Sequence, residues 1–493
     1  MIMTDNKLSV MPQLLPPLIA VGKVLAEMGV KSYLVGGVVR DMLLGRFTAD
    51  IDIAVSGDAR DIAQKVATRL AGRYVLLDEI NRVARVIAGD GDSRWQFDFS
   101  GFNGSIEFDL ARRDFTVNAM AVDLSQIITD AENADVIDPF GGTSDLEQRL
   151  IRAVSDTAFV SDAVRLLRAV RLVAELKFTI ESHTEALIRL SAHLVASVAG
   201  ERVREELLRL LATTGRFLSY LDDLGLLTAL IPELVAIKGA AQPPEHFWDV
   251  FNHTLETVDA VDWLLRQGDD YGSEEFLSVV PWSEMLAQHF ADEVSSGSTR
   301  RLMFKVAALL HDIAKPQTKS IDPDGRMRFL GHPQTGAELA AGIMARLRFS
   351  VKETKLVELM VRHHLRPGQT SQSGMPTARA IYRYFRDTGD AGIDVLFLSL
   401  ADHFATRGPY LRLAPWQEHC QLVSYVLAQQ QEQASRVSPP KLVDGHDLIN
   451  IFGLSAGPRI GEILDAVREA CAASELTSRE EALSYIRDHF INK

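Results

Sequence analysis

A single change of pattern constrains this chain most: short alternating apolar segments stop near Phe140, and helical periodicity takes over from Thr143. Upstream, a helix over 20–31 leads into the strand SYLVGG, the helix VVRDMLLG and a second strand around DIDIAV. A further helix, RDIAQKVATRLAG, precedes the strand candidates RYVLLD, VARVIAG and SRWQFDFS. Asp138-Pro139 and Gly141-Gly142 mark a closing turn. Downstream, Leu146, Leu150, Val164, Leu167, Val170 and Leu207 recur at helical spacing, and almost no strand signal is expected between 143 and 480. The expected fold is an α+β head over 20–142 followed by a mostly α-helical chain. Breaks at 239–247 (GAAQPPEHF) and 430–442 (QEQASRVSPPKLV) divide that chain into 143–238, 239–430 and 431–493. Residues 268–300 read as a loop inside the middle segment.

Composition narrows the function classes. At 47% apolar residues the chain can build real cores, and no run long enough to span a membrane is present. The first residues lack the basic-then-apolar order of a secretory signal, so none is expected. Two cysteines, Cys420 and Cys471, make neither a disulfide framework nor a metal cluster, and a reducing cytoplasm is the expected location. A net charge of −14 excludes a protein coated in positive charge, but leaves room for a local basic face that binds phosphates.

The densest chemical signal is LVGGVVRDMLLGRFTADIDIAV. Gly36 and Gly37 end an apolar strand and open a helix, where bare backbone can approach a triphosphate and free N–H groups point outward. Alone, the pair reads equally as a turn. Asp50 and Asp52 lie two apart in a strand and share one face, while Ile51, Ile53 and Val55 take the other. Two carboxylates so placed repel each other unless a cation neutralises them, and Mg²⁺ prefers such hard oxygen ligands. A solvated strand edge would explain the pair alone. Beside Gly36-Gly37 and Arg40-Asp41, a metal site is the better reading. Asp98, in WQFDFS, is the candidate third carboxylate; Asp109 is an alternative that reads more easily as a helix cap. In RRDFTVNAMAVD, Arg113 could neutralise phosphate charge. Asp114 and Asn118, four apart on an expected helix, could hold a ribose or order the site.

LVGGVVRDMLLG, DID, RRDFTVNAMA, DPFGG and VSDAVRLLRAVR together resemble the class II tRNA nucleotidyltransferases and bacterial poly(A) polymerases over roughly residues 30–240. The resemblance implies a polymerase β-like head followed by helical neck, body and tail. It implies that Asp50 and Asp52 hold two Mg²⁺ ions with Asp98 as the third carboxylate, a position usually filled by Glu. It implies that Arg40, Arg113 and Arg152 clamp phosphates while Asp162 and Arg165 read the base of CTP or ATP. The family's Glu-Asp-x-x-Arg motif stands here as Ser161-Asp162-Ala163-Val164-Arg165, so Ser161 departs from it. Arg165, Arg168 and Arg171 fall on one helix face, which reads as nucleotide-binding or as a solvated surface. Glu201-Arg202 matches a further pair, and Arg202 and Arg204 are expected to include a contact holding the neck to the head. The implied reaction adds C and/or A to the 3′ hydroxyl of tRNA with release of pyrophosphate.

A second constellation comprises His253, His311-Asp312, His332, His363-His364 and Asp402. A core histidine satisfied by hydrogen bonds would explain any one of them. The ordered set resembles the HD phosphohydrolase superfamily, with His253, His311, Asp312 and Asp402 at the four ligand positions. His332 and His363 or His364 match the extra histidines of active members. Imidazole and carboxylate together suit Mn²⁺, Ni²⁺, Fe²⁺ or Mg²⁺, and hydrolysis of 2′,3′-cyclic or 2′-terminal phosphates is the implied second activity. The stretch LVDGHDLINIFGLSAGPRIGEILDAVREA resembles the tail of many bacterial members, either a tRNA contact or a helical packing unit. Poly(A) polymerase is disfavoured by the absence of a long basic terminal tail. An HD phosphohydrolase using the head only to bind RNA is disfavoured by the intact Asp50/Asp52 pair. Complete CCA-adding members usually carry a longer flexible segment between the third carboxylate and Arg-Arg-Asp. Here it spans only Phe99–Ala111, with Asn103 where many relatives have Arg, so addition of only part of CCA is an open expectation. Nothing in the sequence sets the oligomeric state.

Overall fold

The computed structural model describes residues 7–8, 10–89, 94–131, 133–266, 273–370, 374–435, 442–472 and 475–492. It divides into two compact units, Met1–Val198 with Asp223–Ala229, and Ala199–Asp222 with Leu230–Lys493. The division falls inside the segment expected as the neck. Residues 143–198 associate with the head, whereas the helix Gly200–Thr213 belongs to the second unit, where Arg204 pairs with Glu353 at 2.5 Å. Arg204, one of the two arginines expected to include a contact to the head, has this partner within its own unit.

The first unit is built on eight strands: β1 (Lys7–Leu8), β2 (Ser32–Val35), β3 (Asp50–Ser56), β4 (Arg73–Asp78), β5 (Val83–Ala88), β6 (Trp95–Phe102), β7 (Ala121–Asp123) and β8 (Ala134–Ile137). Their order across the sheet is β1-β8-β7-β2-β3-β6-β5-β4. The pair β3–β6 runs parallel, while the other neighbours are antiparallel. Leu34, Ile51, Ile53, Val55, Phe97 and Phe99 are all essentially buried on one face, where the helix Ala59–Arg69 packs across the sheet. On the other face Val35, Ala54 and Phe102 pack with Ile106, Leu110, Ala119 and Ala121. Beyond that cluster, at the start of β3, Asp50 is exposed and Asp52 half-buried.

The head starts earlier than residue 20. β1 pairs with β8, and the first helix spans Leu15–Glu27 rather than 20–31. Pro16 and Pro17 occupy its first turn, where no backbone N–H is needed and proline is tolerated. The chain after residue 143 is mainly helical as expected; the little strand among its described residues is Leu150–Ile151 with Thr179–Ile180, Glu293–Ser295 with Ser298–Thr299, and Lys319–Ile321 with Met327–Phe329. Strands of two or three residues are too short for alternation to register. Likewise 268–300 is no simple loop: its described part holds the helices Glu274–Ser278 and Glu284–Ala291. The expected linker begins inside a helix that reaches Ser435, and residues 436–441 lie outside the described residues.

The second unit is helical. Val250–Leu264 packs against Arg300–Leu310 and Gly392–Arg407, and Val351–His363 packs against Arg300–Leu310 and His332–Arg346. Towards its C-terminal end the helices Gly445–Phe452, Pro458–Ala472 and Arg479–Ile486 share a core of Leu448, Ile463, Val467, Ala470, Ala482 and Ile486. No helix of the described residues is long and apolar enough to cross a membrane.

Candidate active site and metal centre

The parallel pairing of β3 with β6 sets Asp52 directly beside Asp98 and Asp50 beside Gln96. Side chains at paired positions share a face, so Asp50, Asp52 and Asp98 stand together on the open end of the sheet. Burial pushes the Asp52 carboxyl up to about 6; Arg113 opposes that rise, while Asp98 and Asp50 add to it. Gly36 turns the chain beside them with φ +76°, a conformation that side chains resist. A Cβ there would fall 2.8 Å from Arg113 Nη1 and 3.1 Å from Asp52 Oδ2, so this glycine is where arginine and carboxylate approach the backbone.

Sequence reasoning missed Arg85. It is opposite Asp98 on β5, and its Nε and Nη2 donate to Asp98 Oδ1 and Oδ2 at 2.6 and 2.7 Å. Both oxygens of the third carboxylate are therefore engaged. The available signal was a lone cation in the apolar strand Val83–Ala88.

The remaining head residues form a connected network. Arg40 clasps Asp41 and donates through Nη1 to Asn118 Oδ1 at 2.7 Å. Asn118 Nδ2 donates to Asp114 Oδ1 at 3.2 Å, and Arg168 Nη1 donates to Asp114 Oδ2 at 3.0 Å. Burial works to raise Asp114, but Arg168 outweighs it and the carboxyl lies below its ordinary value. Asp114 and Asn118 meet as expected, though not on a regular helix: Thr116–Asn118 is a single 3₁₀ turn. Asp109 is not a cap. It sits inside the helix Ile106–Leu110, flanked by Ser105, and pairs with Arg113 at 3.2 Å. Gly142 lies against the same turn, where a Cβ would come 2.3 Å from Thr116 O.

Arg165 lies in the first turn of the helix Val164–Leu176 and donates to the main-chain oxygens of Arg112, Arg113 and Ala158. Asp162 precedes that helix and accepts from Val164 N. Arg152 pairs with Asp145 and Glu181. Arg171 differs from Arg165 and Arg168: it is buried and pairs with Glu175 on its own helix.

In the second unit, His253, His311, Asp402, Asp312, His332 and His364 converge. Among the described residues, His253–His311–Asp402 and Asp312–His332–His364 are the groups whose ligand atoms all lie within 4.8 Å of one another; the head carboxylates form no group this tight. Of the adjacent histidines, His364 enters the cluster and His363 does not. Burial lowers His364 to about 3, with His311 acting in the same sense. Burial would raise Asp312, but His311 and Lys315 hold it well below the ordinary range. Both ring nitrogens of His253 and Nε2 of His311 are buried without a hydrogen bond, which fits a site built for a cation. Lys315, whose Nζ stands 2.6 Å from Asp312 Oδ2, and His246, whose ring packs against His253, are neighbours that sequence reasoning missed.

Three family models match: a poly A polymerase head domain over residues 32–152, a probable RNA and SrmB-binding site of polymerase A over 177–238, and an HD domain over 274–407. The A-adding tRNA nucleotidyltransferase of Deinococcus radiodurans is 35% identical, covering 92% of this chain and 94% of its own. The chain belongs to the tRNA nucleotidyltransferase family. The CC-adding member of Thermus thermophilus is 33% identical over 92% of each chain. A CCA-adding enzyme solved with CTP has the same fold, with a TM-score of 0.64 at 21% identity over 98% of this chain and 96% of the other.

The family's architecture is thus present from head to HD domain, and the chain is a metal-dependent nucleotidyltransferase. Two site elements fall outside the matched stretches. Asp162 and Arg165 lie between the first two matches, and His253 lies ahead of the third. Packing of the helix Val250–Leu264 against Gly392–Arg407 brings His253 Nε2 to 3.1 Å from Asp402 Oδ1.

Proposed function

We propose that this tRNA 3′-end nucleotidyltransferase adds only part of the CCA terminus, CC or the final A, using Asp50, Asp52 and Asp98 as its metal-holding carboxylates. The observation that carries the partial-addition reading is the order of the segment Phe99–Ala111. β6 continues to Phe102 and a helix begins at Ile106, leaving Asn103–Ser105 as the connection. Complete addition requires one site to accept a pyrimidine and then a purine, and three connecting residues offer little freedom to retune it. The relatives described above, matched over 92% of this chain, are A-adding and CC-adding tRNA nucleotidyltransferases.

In the reaction, the 3′ oxygen of tRNA attacks the α-phosphorus of CTP or ATP, the bond to the β-phosphate oxygen breaks and pyrophosphate leaves. Asp50 and Asp52, with Asp98 beside Asp52, would hold divalent metal such as Mg²⁺, which would supply a lowered pKa for the hydroxyl and counter-charge for the leaving group. The backbone at Gly36 and Gly37 admits the triphosphate, with Arg113 beside it. Arg40, Asn118, Asp114 and Arg168 hold the turn Thr116–Asn118 in place. Asp162 and Arg165 present acceptor and donor edges to the base.

The test offers tRNAs lacking CCA, ending in C or ending in CC, each with CTP, ATP or both. Products that stop at CC, or ATP use restricted to the CC-ending substrate, support the reading. Full CCA on the first substrate overturns partial addition, and a long A tract on unrelated RNA overturns the tRNA assignment.

A further inference from the structure

The second unit has a cavity of about 710 Å³, within the range of about 300–1,000 Å³ typical of small-molecule sites. Two short segments wall it. One carries Glu245, His246 and Phe247, just ahead of the helix Val250–Leu264. The other runs from Arg407 through the 3₁₀ turn Gly408–Tyr410 to Arg412. The walls are fastened to each other. Phe247 N donates to Thr406 O at 2.9 Å, and Arg407 Nη1 donates to Glu245 O at 3.2 Å. Gly408 has φ +49°, and a Cβ there would come 2.9 Å from the Phe247 ring, so bare backbone lets that ring lie against the turn. The shape of the cavity is thus set by the fold itself.

Its lining resembles neither a core nor an ordinary surface. Phe247 is 43% exposed and Tyr410 74% exposed, and their rings meet edge to face with centroids 5.4 Å apart. Large aromatics left facing water at a cavity are stacking partners for a nucleobase, since every base offers a π-face. Two arginines accompany them. In a chain of net charge −14, neither Arg407 nor Arg412 has a carboxylate partner among the described residues. Guanidinium groups left uncompensated in one cavity match the charge and the fork geometry of a phosphate. The Glu245 carboxylate on the same lip is the kind of acceptor that ribose hydroxyls take. His246 adds a buried Nδ1 with no hydrogen-bond partner. We propose that this cavity binds a ribonucleoside monophosphate, as a second nucleotide site in a different unit from the head. Phe247 and Tyr410 stack on the base, Arg407 and Arg412 hold the phosphate, and Glu245 accepts from the ribose.

Isothermal titration calorimetry tests this on the full chain carrying Arg165→Ala, with chelator present, so that neither the base-reading arginine of the head nor a metal ion contributes. AMP is the probe, with adenosine, inorganic phosphate and 2′-deoxy-AMP as comparisons. One AMP per chain is expected, and adenosine and phosphate are each expected to bind at least tenfold more weakly. Tyr410→Ala is expected to weaken AMP about tenfold, the worth of one base–aromatic stack, and Tyr410→Phe to restore it. Arg412→Ala is expected to bring AMP down to the affinity of adenosine. No AMP binding up to millimolar concentration overturns the proposal without requiring any cavity variant to fold. Unchanged AMP affinity in Tyr410→Ala or in Arg412→Ala overturns it as well, as does equal affinity for AMP and 2′-deoxy-AMP. In the otherwise unaltered chain, Tyr410→Ala is expected to add nucleotides to tRNA at the normal rate. Loss of addition in that folded variant would assign Tyr410 to the head's reaction and overturn a separate site.

Discussion

The head and the HD unit solve opposite problems in gathering cation ligands. In the head, like-charged carboxylates stand on an open sheet end, with Arg113 and Arg85 serving as counter-charges: Asp52 is raised and Asp98 is clasped on both oxygens. In the HD unit, His253, His311 and Asp312 are all but completely buried, and the rings of His311, His332 and His364 are aimed by main-chain carbonyls. An open anionic site with displaceable arginines suits ions that arrive with a substrate and leave with its product. A buried cage of oriented imidazoles and carboxylates suits ions that stay. Burial strengthens every electrostatic interaction, so the second arrangement makes metal removal costly while the first keeps exchange easy.

The largest expected effect separates the two centres outright. Asp50→Ala or Asp52→Ala lowers nucleotide addition by about a thousandfold or more, since the charge developing on the leaving group loses its counter-ion. Asp312→Ala leaves addition near the unaltered rate. Incorporation of labelled nucleotide into trimmed tRNA measures both, with circular dichroism confirming the fold. Comparable losses from Asp52→Ala and Asp312→Ala would merge what is here described as two independent centres.

Next in size is base choice. Arg165→Ala weakens discrimination between CTP and ATP by about 1–3 kcal/mol, the worth of a paired contact to a base edge. Arg171→Ala, at a buried residue paired with Glu175, changes stability rather than the CTP/ATP ratio. The ratio of kcat/KM values for the two nucleotides is the readout, and equal behaviour of the two variants would make Arg165 structural.

The raised Asp52 gives a pH test whose sign is fixed. Its folded value of about 6 exceeds the ordinary 3.8, so the folded protein holds that proton more tightly than the unfolded chain. The stabilisation is fully present below about pH 4 and is lost as pH rises through about 6. At pH 7.5 with chelator, Asp52→Asn therefore stabilises the protein by about 1–2 kcal/mol, less than the whole shift because water reaches the side chain. Thermal unfolding measures it. In the active enzyme, addition falls as pH drops through about 6, and raising Mg²⁺ moves that midpoint lower. A midpoint indifferent to Mg²⁺ would assign the titration to another group.

The smallest effect sharpens the role of the arginines. Arg85→Gln frees both oxygens of Asp98 and lowers the Mg²⁺ concentration for half-maximal rate a few-fold, in the range of one charge-assisted hydrogen bond. A higher Mg²⁺ requirement would mean that Arg85 supports the triphosphate rather than restraining the carboxylate.

Much of this was legible before any coordinates. Alternation in DIDIAV placed Asp50 and Asp52 on one face and Ile51, Ile53 and Val55 on the other, as the strand Asp50–Ser56 has them. The ordered motifs led to the family that the relatives bear out. What stayed hidden was short or distant. Two-residue strands carry no readable period, and the first helix starts at Leu15, ahead of the expected residue 20, with Pro16 and Pro17 in its first turn.

The sequence by itself determined which residue types are available and which face of an element each occupies, because the helical and strand periods are local properties of the backbone. Tertiary structure alone decided which faces meet. The parallel register of β3 and β6 set Asp98 beside Asp52, and the antiparallel register of β5 set Arg85 across from it. Helix packing drew His253 to a centre whose other residues lie far along the chain. It also chose His364 over His363. Adjacent residues on a helix point about 100° apart, so both could not face the same centre, and only the neighbours packed around that helix end fix which one does.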